Sequence, residues 1–520
     1  MSLISIPYMV LVLVVVCLYY FVPMAYRWCL LAIANVIFYV SSSRGLSLFL
    51  LCSIISIYVG GILLQQRNDK QKKKLKELDK EDKKAFKQLI KKQKKAILVS
   101  IVAINIGILL YLKYFNFFAM NLNAIFEFVH LDSKIGIREV ILPLGISYYT
   151  LMAISYVVDV YRGKYKASYN FFKVALYLSF FPQMVEGPIS RFDETADQLY
   201  KGNRFSLRNL KCGLYLILWG LFKKMVIADR AALFVNSVFG ESYAGATIFL
   251  AVVLYTIQIY AEFSGAMDIV RGSGYLFGVY LPQNFNQPFF SKSIAEFWRR
   301  WHITLGTWLK DYVFYSVSLS KVNMSLNKSV KKHFSNHFGK FILSAFPLFF
   351  VWFFNGFWHG ASWKYILYGL YYYIIMMLGL LLQPFFMKMK DKLHIDDQHV
   401  FYQVFAIVRT WIIVLGGMLL FRAKSISAAI TMFFSIFSKE GLQLSLGGMT
   451  KYDYLILIIG ILGMFILSIL REKQVDVFHL LDEKSVVLRY TIVFVLLFMI
   501  LIFGIYGEGY DASDFIYGAF

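Results

Sequence analysis

A succession of apolar runs, each about as long as a bilayer is thick, constrains this chain more than any other feature. They recur near 5–22, 45–65, 96–117, 140–160, 207–227, 245–261, 341–358, 362–383, 402–421, 453–470 and 487–506, with shorter runs near 28–43, 170–186 and 426–437. A helix needs roughly 20 apolar residues to cross the hydrocarbon. Transmembrane β-strands alternate in polarity and are only about 10 residues long, so continuous runs exclude a barrel. Composition agrees, with 59% hydrophobic and 16% charged residues, against roughly 45–50% and 25% in a soluble domain. The predicted class is all-α: a polytopic integral membrane protein of about 11–14 transmembrane and re-entrant helices.

The net charge of +23 does not point to nucleic acid. Residues 67–95 hold 14 Lys/Arg against 5 Asp/Glu between two apolar runs, and basic residues collect in cytoplasmic loops of membrane proteins. No aromatic platform accompanies these lysines, as single-stranded nucleic acid would require. Leu75, Leu78, Phe86, Leu89 and Ile90 stand at helical spacings, which predicts an amphipathic helix near anionic lipid headgroups. With three helices before this loop, the N-terminus is outside. Arg162, Lys164 and Lys166, then Lys223 and Lys224, then Lys321, Lys328, Lys331 and Lys332, then Lys388, Lys390 and Lys392 fall inside. An acidic tail with Glu508, Asp511 and Asp514 falls outside. The first run lacks a basic leader and a small-residue cleavage site, and reads as a retained helix. Cys17, Cys29, Cys52 and Cys212 lie in or beside apolar runs, without CxxC or metal spacing, and read as small hydrophobes.

Costly polar residues at membrane depth concentrate between 140 and 370. Asn355-Gly356-Phe357-Trp358-His359-Gly360-Ala361 separates two apolar runs. His359 there reads either as a tunable imidazole able to take a hydroxyl proton or as an interfacial histidine beside a belt tryptophan. Glu296-Phe297-Trp298-Arg299-Arg300-Trp301-His302 leaves no purely apolar helical face, and suits an interface or a protein-lined cavity. Arg299 and Arg300 read as ion-pair partners of Glu296 or Asp311, or as holders of a phosphate or carboxylate. His302 and His359, in separate polar insertions, suggest one shared site. Pro143–Tyr149, Phe181–Ile189 with Glu186, and Tyr260–Asp268 with Glu262, Ser264 and Asp268 read as walls of a cavity, their carboxylates more often hydrogen-bonded structurally than catalytic. GxxxxGK[ST], HExxH and GxSxG are all missing from the sequence, so ATPase, zinc protease and α/β-hydrolase readings have no support.

The order of these motifs resembles the membrane-bound O-acyltransferase (MBOAT) family. Pro143–Tyr149, Tyr156–Gly163, Phe181–Arg191, Lys223–Asp229, Tyr260–Asp268, Pro282–Pro288, Glu296–Thr304, Trp308–Tyr312 and Gly356–Ala361 carry the resemblance. It is closest to the bacterial AlgI-like branch of alginate O-acetylation and the DltB-like branch of D-alanyl transfer. The resemblance implies helices around a central tunnel, with residues 140–370 as catalytic core, 1–139 as N-terminal helices with the basic loop, and 371–520 as C-terminal helices of a single membrane domain. It further implies His359 and His302 as catalytic residues, His302 orienting the acceptor or stabilising an oxyanion. Asn355, Trp358, Gly360, Glu296, Arg299, Arg300, Trp301, Asp311, Glu262, Ser264, Asp268 and Glu186 become tunnel or supporting residues. No cofactor or metal is expected. The implied substrates are an acyl thioester (acetyl-CoA or an acyl-carrier protein) on the cytoplasmic side and an exported polysaccharide or teichoic acid. The implied partner is a secreted or membrane-anchored acetyltransferase of SGNH, AlgX or AlgJ type, and the implied place is the bacterial plasma membrane. Glu186, Glu262, Met267 and Asn355 depart from the residues usual at their positions. A transporter or flippase of lipid-linked glycan is the alternative from another class; broken helices repeated in both halves would mark it, whereas here they cluster in one block.

Overall fold

Each apolar run becomes a helix because, without water, the backbone satisfies its own hydrogen bonds only in that form. The computed structural model describes residues 2–241, 243–334, 336–438 and 447–506; the predicted acidic tail lies outside them. In chain order the helices are α1 (Ile6–Phe21), α2 (Arg27–Ser43), α3 (Ser47–Glu77), α4 (Lys80–Leu109), α5 (Phe115–Phe128), α6 (Ile146–Arg162), α7 (Phe171–Ser179), α8 (Phe181–Met184), α9 (Phe192–Lys201), α10 (Leu207–Leu221), α11 (Asp229–Gly240) and α12 (Ala246–Leu276). They continue as α13 (Ile294–Arg300), α14 (Ile303–Trp308), α15 (Tyr315–Ser318), α16 (Lys321–His333), α17 (Asn336–His359), α18 (Trp363–Lys392), α19 (Val400–Arg422), α20 (Ile426–Ser435), α21 (Lys451–Glu472), α22 (Val477–Asp482) and α23 (Val486–Phe503). Among the described residues nine helical segments are long and apolar enough to cross a membrane, and α1 and α20 are shorter apolar helices. The protein is therefore a multi-pass α-helical membrane protein. The only β-pairing among the described residues is one isolated bridge, Phe285 to Trp301.

The chain forms two compact units, Met1–Leu214 with Val270–Pro282, and Tyr215–Ile269 with Gln283–Phe520. In the first, α3 packs along α4, and α6 against both. The basic segment 67–95 is not one amphipathic helix, as its spacings predict. α3 runs on to Glu77 and α4 starts at Lys80, so the segment is the tip of a helical hairpin. Leu75, Leu78 and Phe86 are half-buried and Ile90 is buried, but Leu89 is exposed, as are most of the lysines. The helical spacing thus marks two helices facing each other. Also in this unit, Gly145 caps α6 at φ +69°, and a Cβ there would sit 1.9 Å from the Met184 carbonyl oxygen. The Pro-Gly irregularity therefore exists to let the start of α6 lie on the end of α8. Glu186 is buried in this unit, in electrostatic contact with Tyr148.

In the second unit, α17 and α18 cross at glycine. A Cβ on Gly356 would meet the Tyr365 carbonyl oxygen at 2.2 Å, and one on Gly369 the Trp352 carbonyl oxygen at 2.2 Å. Small residues at a crossing allow backbone-to-backbone approach in a bilayer, where van der Waals packing replaces the hydrophobic drive. Two substitutions on α18 separate this packing from helix propensity. Gly369→Ala should lower the unfolding temperature in detergent, by about 1–3 kcal/mol in overpacking strain. Gly379→Ala, whose added Cβ meets nothing within 4 Å, should not. Equal behaviour of the two variants would contradict the close crossing.

Candidate active site

Three levels of structure in the second unit place the polar groups. The lowest is a crossing of α10 and α12 in which Gly220 and Gly265 face each other's carbonyl oxygens, so that an added Cβ would lie 2.6 and 2.9 Å away. Just beyond it α10 widens into a π-helical stretch, Phe222–Ala228. Lys223 Nζ there donates to Asp268 Oδ2 at 2.7 Å and to Ser264 Oγ at 2.9 Å. Lys224 Nζ, fully buried, lies 2.9 Å from Glu262 Oε1 and 2.8 Å from Asp229 Oδ1. These lysines are not basic markers of a cytoplasmic loop, as their sign alone suggests. They are the counter-ions of intramembrane carboxylates, which only paired charge makes tolerable at that depth. Glu262, Ser264 and Asp268 are accordingly engaged in holding α12 to the π-helical stretch.

The next level is the loop 283–290 with α13. The backbone N–H of Ile303 donates to the Asn284 carbonyl at 3.0 Å and that of Asn286 to the Arg300 carbonyl at 2.9 Å, flanking the Phe285–Trp301 bridge. This clasp holds His302 at φ 47°, ψ 51°, a left-handed conformation that costs a β-carbon residue on the order of 1–3 kcal/mol. α13 is secured by its ends. Ser293 caps it, Glu296 accepts from the Lys292 N–H, and Arg300 bridges Glu296 at 2.7 Å and Glu472 at 2.6 Å. Trp301 is buried and stacks on Phe297. Arg299 is exposed and forms no ion pair among the described residues, and Asp311 lies half-buried on the π-helical turn Leu309–Phe314. Glu296, Arg300 and Trp301 thus fix the loop geometry through their own partners.

The top level is aromatic. His359 ends α17, and the Trp358 ring lies against both imidazoles, with centroids 5.1 Å from His359 and 5.5 Å from His302. Phe263 covers His302 at 4.8 Å, while Phe421 and Tyr368 flank His359 at 5.3 and 5.9 Å. Both histidines are buried. Asn355 is buried one turn before His359 on the same helix face, its Oδ1 without a hydrogen-bond partner among the described residues. Gly360 lies against an aromatic ring: a Cβ there would be 2.5 Å from the Tyr365 side chain.

Asn284, not singled out in the sequence, decides the state of His302. Its Oδ1 is 3.0 Å from the Thr304 backbone nitrogen, 2.9 Å from Thr304 Oγ1 and 3.3 Å from His302 Nδ1. A backbone N–H only donates, so the Asn284 atom facing it is the carbonyl oxygen. His302 Nδ1 then carries the proton, and Nε2 keeps the lone pair of the neutral ring. Burial pushes the His302 imidazole, outside the candidate spans, down to about 3, so the ring is neutral at physiological pH. The only signal for Asn284 was its place in a Pro-bounded polar interruption, Pro282–Pro288.

Residues 36–421 match the membrane-bound O-acyltransferase (MBOAT) family. The chain is 32% identical over 345 residues to the probable alginate O-acetylase AlgI of Pseudomonas putida, covering 66% of this chain and 65% of that protein. It is 34% identical over 294 residues to the peptidoglycan O-acetyltransferase of Helicobacter pylori, covering 51% and 52% respectively. It is 29% identical over 296 residues to the teichoic acid D-alanyltransferase of Bacillus subtilis, covering 54% and 69%.

Removing the anchor of His302 should be visible without any activity assay. Asn284→Ala leaves the Thr304 N–H and His302 Nδ1–H without their acceptor and should cost about 1–3 kcal/mol of stability. Asn284→Asp keeps a carboxylate oxygen in place and should recover part of the loss. Wild-type unfolding in the Ala variant would contradict the anchoring role.

Proposed function

Because the chain belongs to the membrane-bound O-acyltransferase family, we propose that it transfers an acyl group, acetyl by preference, from a cytoplasmic thioester toward an exported cell-surface polysaccharide. The carrying observation is a pair of buried imidazoles on one indole, in a chain similar to an alginate O-acetylase and a peptidoglycan O-acetyltransferase. His359 is the general base. It takes the proton of the acceptor hydroxyl as the oxygen attacks the thioester carbonyl, and it returns that proton to the departing thiolate when the tetrahedral intermediate collapses. His302, its Nδ1–H committed to Asn284, offers only a lone pair at Nε2. It therefore accepts from a neighbouring hydroxyl and orients the acceptor, rather than stabilising the oxyanion. The oxyanion needs a hydrogen-bond donor, and the Asn355 amide stands on the same helix face as His359.

The thioester is acetyl-CoA or an acyl-carrier protein, the place is the bacterial plasma membrane, and a narrow passage brings donor and acceptor to the indole from opposite faces. A secreted or membrane-anchored acetyltransferase of SGNH, AlgX or AlgJ type then takes the acetyl group from the ester formed on that first acceptor hydroxyl, frees the hydroxyl, and passes the group to a hydroxyl of the polymer. The 29% identity to a teichoic acid D-alanyltransferase keeps D-alanyl transfer as the second reading, with a carrier-protein thioester as donor. In proteoliposomes loaded with labelled acetyl-CoA, His359→Ala should lose about 10²–10⁴-fold in thioester consumption while unfolding near the wild-type temperature. His302→Ala should lose less. Activity of His359→Ala within a few-fold of wild type would end the assignment.

A further inference from the structure

A cavity of about 470 Å³ lies in the second unit between α10, α21, α22 and α23, on residues that the transfer reaction does not use. Its walls are apolar, among them Leu216, Trp219, Ile466, Leu470 and Leu496. Its charged lining residues are two arginines, Arg471 and Arg489, and no carboxylate lines it. Arg471 stands in the last turn of α21 and Arg489 near the start of α23. Only residues 473–485 join these helices, so both guanidinium groups lie toward the same membrane face. Arg489 meets Asp482 at 3.4 Å, at the long end of a hydrogen bond, and Arg471 has no carboxylate within ion-pair distance among the described residues. The short helix α22 closes that end, its Phe478 ring lying parallel to Tyr215 at 6.4 Å.

We infer that this cavity binds one anionic glycerophospholipid of the surrounding membrane, an acyl chain filling the apolar walls and the phosphate held by Arg471 and Arg489. Three observations select that occupant. The volume falls in the range of roughly 300–1,000 Å³ typical of small-molecule sites. The two helices bounding it, α21 and α23, are the least buried of the candidate spans, at 17% and 6%, so lipid is what stands next to the opening. Two guanidinium-bearing side chains lining one apolar slot suit a phosphodiester with a tail attached, since arginine binds phosphate through a planar fork of donors. α21 and α23 both pack on the π-helical stretch that carries Lys223 and Lys224, so a lipid bridging them stiffens that ion-paired stretch.

Gly463 supplies a clean test, because it lines the cavity and an added Cβ there meets nothing within 4 Å. Purified full-length wild type, Gly463→Leu and the double variant Arg471→Gln/Arg489→Gln are delipidated. Each then receives dioleoyl phosphatidylglycerol, dioleoyl phosphatidylcholine or inorganic phosphate. Wild type should retain phosphatidylglycerol in native mass spectrometry, and its unfolding temperature should rise by about 3 °C or more with that lipid alone. Both variants should unfold as wild type does in phosphatidylcholine and lack the phosphatidylglycerol shift. An equal shift with phosphatidylcholine, the same shift with phosphate, or an undiminished shift in both variants would overturn the inference. If a variant fails to fold, the wild-type comparison of the two lipids by mass spectrometry decides alone.

Discussion

Two lysine ammonium groups buried among apolar helices are the interaction on which the second unit depends. Lys223 and Lys224 are adjacent in sequence, yet one reaches Asp268 and the other Glu262 and Asp229. Charges buried together in this way are strongly destabilising to break and weakly stabilising to make, so their effect is specificity of arrangement more than net free energy. Here the arrangement needs the Gly220–Gly265 approach, which brings α10 close enough to α12 for its side chains to reach those carboxylates. It also fixes α12, which carries Phe263 against His302 and Met267 against the Asn284 amide at 3.1 Å. A glycine crossing, an ion-paired layer and an anchored histidine therefore follow one another along a single line of contacts.

That line explains what the sequence could and could not reveal. The helices were legible, because a run of apolar residues in lipid has hardly another way to satisfy its backbone. The two histidines were legible as polar residues between such runs, and Trp358 joins them. The lysines were misread because one-dimensional charge sign cannot distinguish a loop from residues whose buried partners include carboxylates 38 and 45 residues away. The 67–95 segment was misread for a related reason: helical spacing tells that a face is covered, and not whether lipid or a second helix covers it. That the Tyr365 carbonyl and ring press against Gly356 and Gly360 is a packing detail the sequence does not carry. Asn284 was invisible because its importance lies in a carbonyl oxygen shared by Thr304 and His302, a convergence that only folding creates.

The proposed chemistry then rests on asymmetry between two similar groups. His302 sits strained at a loop apex, its proton held by Asn284, whereas His359 ends a long helix among Trp358, Tyr368 and Phe421. Aromatic rings around both keep the imidazoles from bulk water, which strengthens whatever electrostatic contacts a bound substrate makes. A loop held by the Phe285–Trp301 bridge and the Arg300 ion pairs to Glu296 and Glu472 keeps that geometry without substrate. Preorganisation of this kind would serve the proposed acyl transfer alongside general-base catalysis by His359.

The central claim is that both imidazoles address one reacting carbonyl beside Trp358. An experimental structure of the protein with a non-reactive acetyl-thioester analogue tests it most directly. The analogue's carbonyl carbon should lie against the indole, leaving about 3–3.5 Å for a nucleophilic oxygen within hydrogen-bond reach of His359 and a neighbouring hydroxyl within reach of His302 Nε2. An analogue seated elsewhere, or one that only a single histidine can approach, would contradict the shared site.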